Sequence, residues 1–166
     1  MNICSVCHLN SSDKTCGYCS SAICKKCSHT CSLEMNEWYI NKKEIHHLSC
    51  PDCYEQKFIP LEENFDEDMQ TAKDSPVWPK TYRGKIPMLN RSQKQFSIQD
   101  CADKKLAVLK LAFQAIEGGF NALLEVDVKY TKVRDHGYQK MLYSGTALGA
   151  MVDHSKLRDE DYFEDL

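Results

Sequence analysis

The chain has 166 residues, 42% of them hydrophobic and 27% charged, with a formal net charge of −3 and ten cysteines. That length accommodates one ordinary domain or two small ones, and the charge balance argues against nucleic acid as a partner, which asks for a basic face. No stretch approaches the roughly eighteen continuous apolar residues of a membrane span. The opening Met1-Asn2-Ile3-Cys4 shows neither a basic region nor an apolar run, so the expectation is a soluble protein of a reducing, cytoplasmic compartment.

In chain order, the first feature is a series of four Cys-x-x-Cys pairs: Cys4/Cys7, Cys16/Cys19, Cys24/Cys27 and Cys50/Cys53. Such a pair places two thiolates on one side of a short turn, where they fill two corners of a tetrahedron. Four pairs therefore predict two Cys4 zinc sites, two Zn²⁺ per chain, in preference to a disulfide framework. So short and polar a segment buries little core, and metal binding is expected to supply most of its folding free energy. The pairs are separated by eight, four and twenty-two residues. The four-residue gap makes it hard for pairs two and three to share one ion. An interleaved arrangement is easier, with Cys4, Cys7, Cys24 and Cys27 on zinc 1 and Cys16, Cys19, Cys50 and Cys53 on zinc 2. His29, Cys31, His46 and His47 lie close by and are expected to be bystanders.

This spacing, with Cys24-Lys25-Lys26-Cys27-Ser28 and Cys50-Pro51-Asp52-Cys53-Tyr54, resembles the FYVE family of zinc modules over residues 4 to about 57. RING and PHD modules share the cross-brace but usually include a histidine ligand. The resemblance implies the cross-braced fold. It does not carry over phosphoinositide binding, because the run ahead of the third family cysteine is here Ser11-Ser12-Asp13-Lys14-Thr15, with no arginine or histidine. Residues 1–60 also hold six Lys/Arg against six Asp/Glu, so neither a membrane phosphoinositide nor a nucleic acid is an expected partner.

Between the third and fourth pairs, Trp38 to Ile40 and Glu44 to Leu48 are expected to form a hairpin turning at residues 41–43, although a short helix fits the pattern too. Residues 61–79, with six acids, one lysine, Pro76 and Pro79, read as an acidic linker. From residue 80, Thr81 to Met88 suggests an edge strand. Ser97 or Asp100 is expected to cap a helix whose apolar face is Ala102, Leu106, Leu109, Phe113 and Ile116, ended by Gly118-Gly119. Next comes a strand alternating Leu124, Val126, Val128 and Tyr130 on one face with Glu125, Asp127, Lys129 and Thr131 on the other. A turn at residues 134–137 leads into a return strand, Tyr138 to Val152. Gly145 and Gly149 in that strand suggest close approach of another backbone, that of a neighbouring subunit. An acidic tail, residues 153–166, closes the chain.

The succession of helix, Gly118-Gly119-Phe120-Asn121-Ala122, alternating strand, and Ser144-Gly145-Thr146-Ala147 resembles the YbjQ-type family, described as heavy-metal-binding, over about residues 80–152. The resemblance implies a dodecin-like antiparallel sheet with one packed helix, assembling into a ring, commonly a pentamer. Cys101, His136 and His154 are the only soft or borderline ligands in that stretch and form no spaced cluster.

The expected class is therefore α+β, with a FYVE-like double-zinc module (1–60), the acidic linker (61–79), a YbjQ-like oligomerisation domain (80–152) and the tail. Catalysis is not expected. A Cys4 site leaves no open coordination position, and there is no His-Glu-x-x-His, no Gly-x-Ser-x-Gly and no phosphate-cradling loop. The acidic residues 62–68 lack calcium-loop spacing. The expected function is a self-associating protein that displays zinc modules to a protein partner. The alternative is a metal- or small-molecule-binding ring with the zinc module as a structural appendage.

Overall fold

The computed structural model describes residues 3–39 and 45–157. The chain divides into two compact units, Met1–Glu67 and Asp68–Leu166.

The first unit has little regular structure, as its polar composition requires. Two ribbons of two residues per strand account for its sheet. β1 (Lys14–Thr15) pairs antiparallel with β2 (Ala22–Ile23), and β3 (His29–Thr30) pairs with β4 (Leu48–Ser49). Cys16, Ile23, Cys50 and Cys53 form a small buried cluster with Tyr18 against it, so the cysteines themselves make up most of this core. A 3-10 turn spans Glu34–Glu37. The expected hairpin partner of Trp38 is taken differently, because Leu48 pairs with Thr30. The turn expected at residues 41–43 lies outside the described residues.

After β4 the chain is helical: α1 (Pro51–Cys53), a π turn (Tyr54–Phe58) and α2 (Ile59–Lys73). Pro60 explains the π turn. Its ring crowds the carbonyl four residues back and it has no N–H to donate, so the ladder widens just ahead of it and Ile59 N–H bonds to Tyr54 O. Most of the expected linker is thus helix. Phe58, Leu61, Phe65, Met69 and Ala72 recur every three or four residues and are buried or half-buried, while the acids between them are largely exposed. An amphipathic helix accounts for both the acids and the apolar residues.

The rest of the expected linker belongs to the second unit's sheet. β5 (Val77–Pro79) pairs parallel with β7 (Ala122–Asp135), and the strand order is β5-β7-β8-β6, where β6 is Met88–Cys101 and β8 is Tyr138–Val152. β8 lies antiparallel to both β6 and β7, so β6 and β7 run parallel with β8 between them and α3 (Lys104–Glu117) joins them. The edge strand expected at Thr81–Met88 begins only at Met88. The helix cap is Asp103, whose carboxylate accepts from Leu106 N–H at 2.7 Å, in place of Ser97 or Asp100, which lie within β6.

The C-terminal end of α3 follows the expected glycine stop. Gly119 adopts φ +82, and Phe120 N–H bonds to Ala115 O while Gly119 N–H bonds to Ile116 O. Both orphan carbonyls are satisfied in this left-handed cap. Asn121 then extends the sheet with its side chain: its amide donates to Val152 O at 3.0 Å, and its carbonyl accepts from Val152 N–H at 2.8 Å.

The strict alternation expected along β7 breaks at Glu125. Leu124 stands opposite Leu148 and Asp127 opposite Thr146, so Glu125 and Val126 together face Ala147. This is a β-bulge, and Glu125 carries it in the left-handed region at φ +53. The extra residue reverses the parity. Leu124 packs with Trp78, Ala122, Ala150 and Val152 on one face, whereas Val128 lies on the other, near Gly145 and Leu111 of α3. The sheet therefore has apolar packing on both faces. Trp78, expected in a linker, is 1% exposed at the centre of the face away from α3, and its Nε1–H is buried with no acceptor.

The small residues of β8 also find their reason within this unit. A Cβ on Gly149 would lie 2.7 Å from Phe120 Cδ2 and 2.9 Å from Phe96 Cε2, and one on Gly145 would lie 3.0 Å from Val128 Cγ2. The glycines make room for these side chains. Close approach of a neighbouring subunit is not needed to explain them.

Candidate metal centres

Each cysteine pair is held by a local turn. In the first two, the residue after the second cysteine is left-handed, His8 at φ +54 and Ser20 at φ +60. His8 N–H bonds to Cys4 O at 3.0 Å and Ser20 N–H to Cys16 O at 2.9 Å. The third pair closes through Cys27 N–H to Cys24 O at 3.1 Å. In the fourth, Cys50 precedes α1 and its carbonyl accepts from Tyr54 N–H at 2.9 Å.

These turns bring the thiols into two groups, Cys4, Cys7, Cys24 and Cys27, and Cys16, Cys19, Cys50 and Cys53. Within each, the sulfurs all lie within 4.8 Å of one another. These are the quartets of the interleaved reading. Cys7 Sγ lies 3.9 Å from Cys24 Sγ, and Cys19 Sγ lies 3.8 Å from Cys50 Sγ. A tetrahedron with metal–sulfur bonds of about 2.3 Å has an edge of about 3.8 Å, so the separations between pairs suit one ion per quartet. All ten cysteines are free thiols.

The surroundings prepare some sulfurs to carry charge. Backbone N–H groups of Leu9 and Asn10 bring Cys7 down to about 6, and the Asn10 side-chain amide adds a bond at 3.4 Å. Cys19 is also lowered to about 6, chiefly by Ser21, whose hydroxyl lies 3.1 Å away. Burial, with the neighbouring sulfurs adding to it, pushes Cys27 and Cys53 up to about 12. Four crowded thiols cannot all ionise alone, and a soft or borderline divalent cation removes that conflict. Asn10 and Ser21 were not singled out from sequence. Their signal is position, as polar residues just beyond the second cysteine of a pair.

The other candidate ligands have different occupations. His29 stacks on Tyr54 with centroids 4.6 Å apart, and His46 meets Tyr18 edge-on at 4.7 Å. Cys31 is buried beside Ser49, its Sγ 3.4 Å from Oγ, and its backbone N–H bonds to the His47 carbonyl at 2.9 Å. Cys101 is buried at the end of β6, and burial pushes its thiol up. His136 sits in the β7–β8 turn at φ +47, and His154 lies in the 3-10 turn after β8. Among the described residues the two quartets are the metal-capable groups; the acidic run 62–68 lies on α2 and is not one.

Among the described residues no helix is long and apolar enough to cross a membrane. The chain matches no family model, no curated protein and no solved structure.

Proposed function

We propose that the protein is a non-enzymatic zinc protein that self-associates and offers its N-terminal unit to a protein partner. Two Zn²⁺ per chain, one in each cysteine quartet, hold that unit folded. The observation that carries this reading is the pair of sulfur separations, 3.9 and 3.8 Å, set at the edge length of a zinc–thiolate tetrahedron. Four sulfurs close the coordination sphere, so the metal has no position for an activated water and acts structurally. The FYVE-like cross-brace supports an interaction module, and its balanced charge favours a protein over a phosphoinositide membrane or nucleic acid. A cytoplasmic setting keeps the eight thiols reduced for the metal.

Self-association of the second unit, as a dodecin-like ring of the YbjQ type and commonly a pentamer, is supported by apolar surface. Leu89 is 69% exposed, Tyr130 58% and Tyr138 82%, and exposed apolar residues on one unit favour association. Native mass spectrometry of protein purified without added metal tests both parts. Two zincs per chain in a particle of several chains is the expected result. A chain without metal overturns the zinc reading, and a monomer overturns the ring.

A second reading, a small-molecule-binding protein with the zinc module as appendage, is favoured by one observation: a cleft in the C-terminal unit beside Trp78 and the Glu125 bulge.

A further inference from the structure

That cleft lies on the sheet face away from α3 and has a volume of about 450 Å³, inside the range of about 300–1,000 Å³ typical of small-molecule sites. Its apolar wall includes Trp78 and Leu124, which belong to the buried cluster on that face. Three cationic side chains line it, Lys80, Arg83 and Arg91, against one carboxylate, Glu125. A flat apolar wall under an excess of cations is the chemistry that recognises an organic anion.

Two further features show that the polar side is shaped. Arg83 Nη1 donates to Lys80 O at 3.1 Å and to Tyr82 O at 3.2 Å, which ties the guanidinium to the turn that carries it. Glu125 reaches the cleft from the β7 bulge, in a left-handed conformation that a non-glycine residue adopts at a cost. The bulge also turns Leu124 onto this face (see Overall fold). Arg91 Nη1 and Glu125 Oε1 are 3.8 Å apart, with both side chains about half exposed. This loose pair leaves the guanidinium able to bond to a second acid group.

We infer that this cleft binds a small organic anion, with the flat apolar body against Trp78 and Leu124 and the acid group on Arg91 and Arg83. The inference deepens the small-molecule reading and is independent of the zinc sites.

The test uses the full zinc-loaded chain and two fluorescent probes of similar shape. 8-Anilinonaphthalene-1-sulfonate carries an acid group, and N-phenyl-1-naphthylamine lacks it. The expected result is saturable binding of one sulfonate probe per chain, at least tenfold tighter than the neutral probe. Arg91→Ala and Arg83→Ala should each weaken it by at least fivefold, and Lys80→Ala less. Circular dichroism and zinc content measured on the same samples should be unchanged, so failure here is distinguishable from failure of the zinc reading. If an arginine variant does not fold, the comparison of the two probes on the unmodified chain decides. No saturable binding, equal affinity for both probes, or well-folded arginine variants that bind as before would overturn the inference.

Discussion

Gly149→Ala separates the two accounts of the glycines in β8. The added Cβ would lie 2.7 and 2.8 Å from Phe120 Cδ2 and Cγ and 2.9 Å from Phe96 Cε2. Both rings are bulky and already engaged with each other edge-on, with centroids 6.2 Å apart, so neither yields cheaply. Overpacking of this kind costs about 1–3 kcal/mol, while Gly→Ala returns about 0.4–1 kcal/mol by restricting the unfolded chain. The net expectation is a loss of about 1–2 kcal/mol, which in a unit of this size lowers the melting temperature by about 5–10 °C. Gly145→Ala is the graded control. Its nearest contact is 3.0 Å, to the tip of Val128, and its cost should be about half as large or less. Thermal unfolding of the zinc-loaded chain by circular dichroism reads the loss, and native mass spectrometry reads assembly. A Gly149→Ala variant that melts like the parent but falls apart into monomers would refute packing against the rings and restore a subunit contact at this strand.

The remaining predictions concern the metal, the core and a thiol. Zinc occupancy should rise with pH. The raised thiols of Cys27 and Cys53 must release protons on binding, so the apo form holds more protons than the loaded form and higher pH favours loading. Below about 6 Cys7 and Cys19 also take up protons, and zinc should be lost steeply there; release followed with a chromogenic chelator checks this, and a flat profile would contradict it. Trp78→Ala should cost about 3–5 kcal/mol. Trp78→Phe should cost under about 1.5 kcal/mol, because it also removes a buried N–H that has no acceptor, and urea unfolding compares the two. At mildly alkaline pH the Cys101 thiol, raised by burial, should react with iodoacetamide far more slowly in the native chain than in urea. The stability it contributes is full below its ordinary value of 9.0 and is lost as pH rises through the raised one. Peptide mass mapping reads the difference, and equal rates would place Cys101 at the surface.

What could be read from the residues alone was local. A Cys-x-x-Cys pair is a chelating turn wherever it occurs, so the eight candidate ligands were legible before any fold. The apolar period of Leu106, Leu109, Phe113 and Ile116 and the following glycines likewise gave α3 and its end. The alternation of β7 and β8 and the turn between them were legible for the same reason. The period of three and four along Phe58, Leu61, Phe65, Met69 and Ala72 was present too. The acids between them and the two prolines beyond suggested a linker, but only the solvent face of α2 is acidic.

Tertiary structure decided what depends on residues far apart in the chain. The quartets join pairs up to thirty-one residues distant, as Cys19 does with Cys50. Sequence spacing favoured this grouping, but the sulfur positions come from the folded turns. β5 is a strand because Val77 lies opposite Leu123, and nothing in Pro76-Val77-Trp78-Pro79 announces a parallel partner. The bulge at Glu125 is the clearest case. Side-chain alternation along a strand has a period of two, so one extra residue sends everything beyond it to the opposite face. Whether that residue is inserted is settled by how β7 closes its hydrogen bonds against β8, with Trp78 packed on one side and α3 on the other.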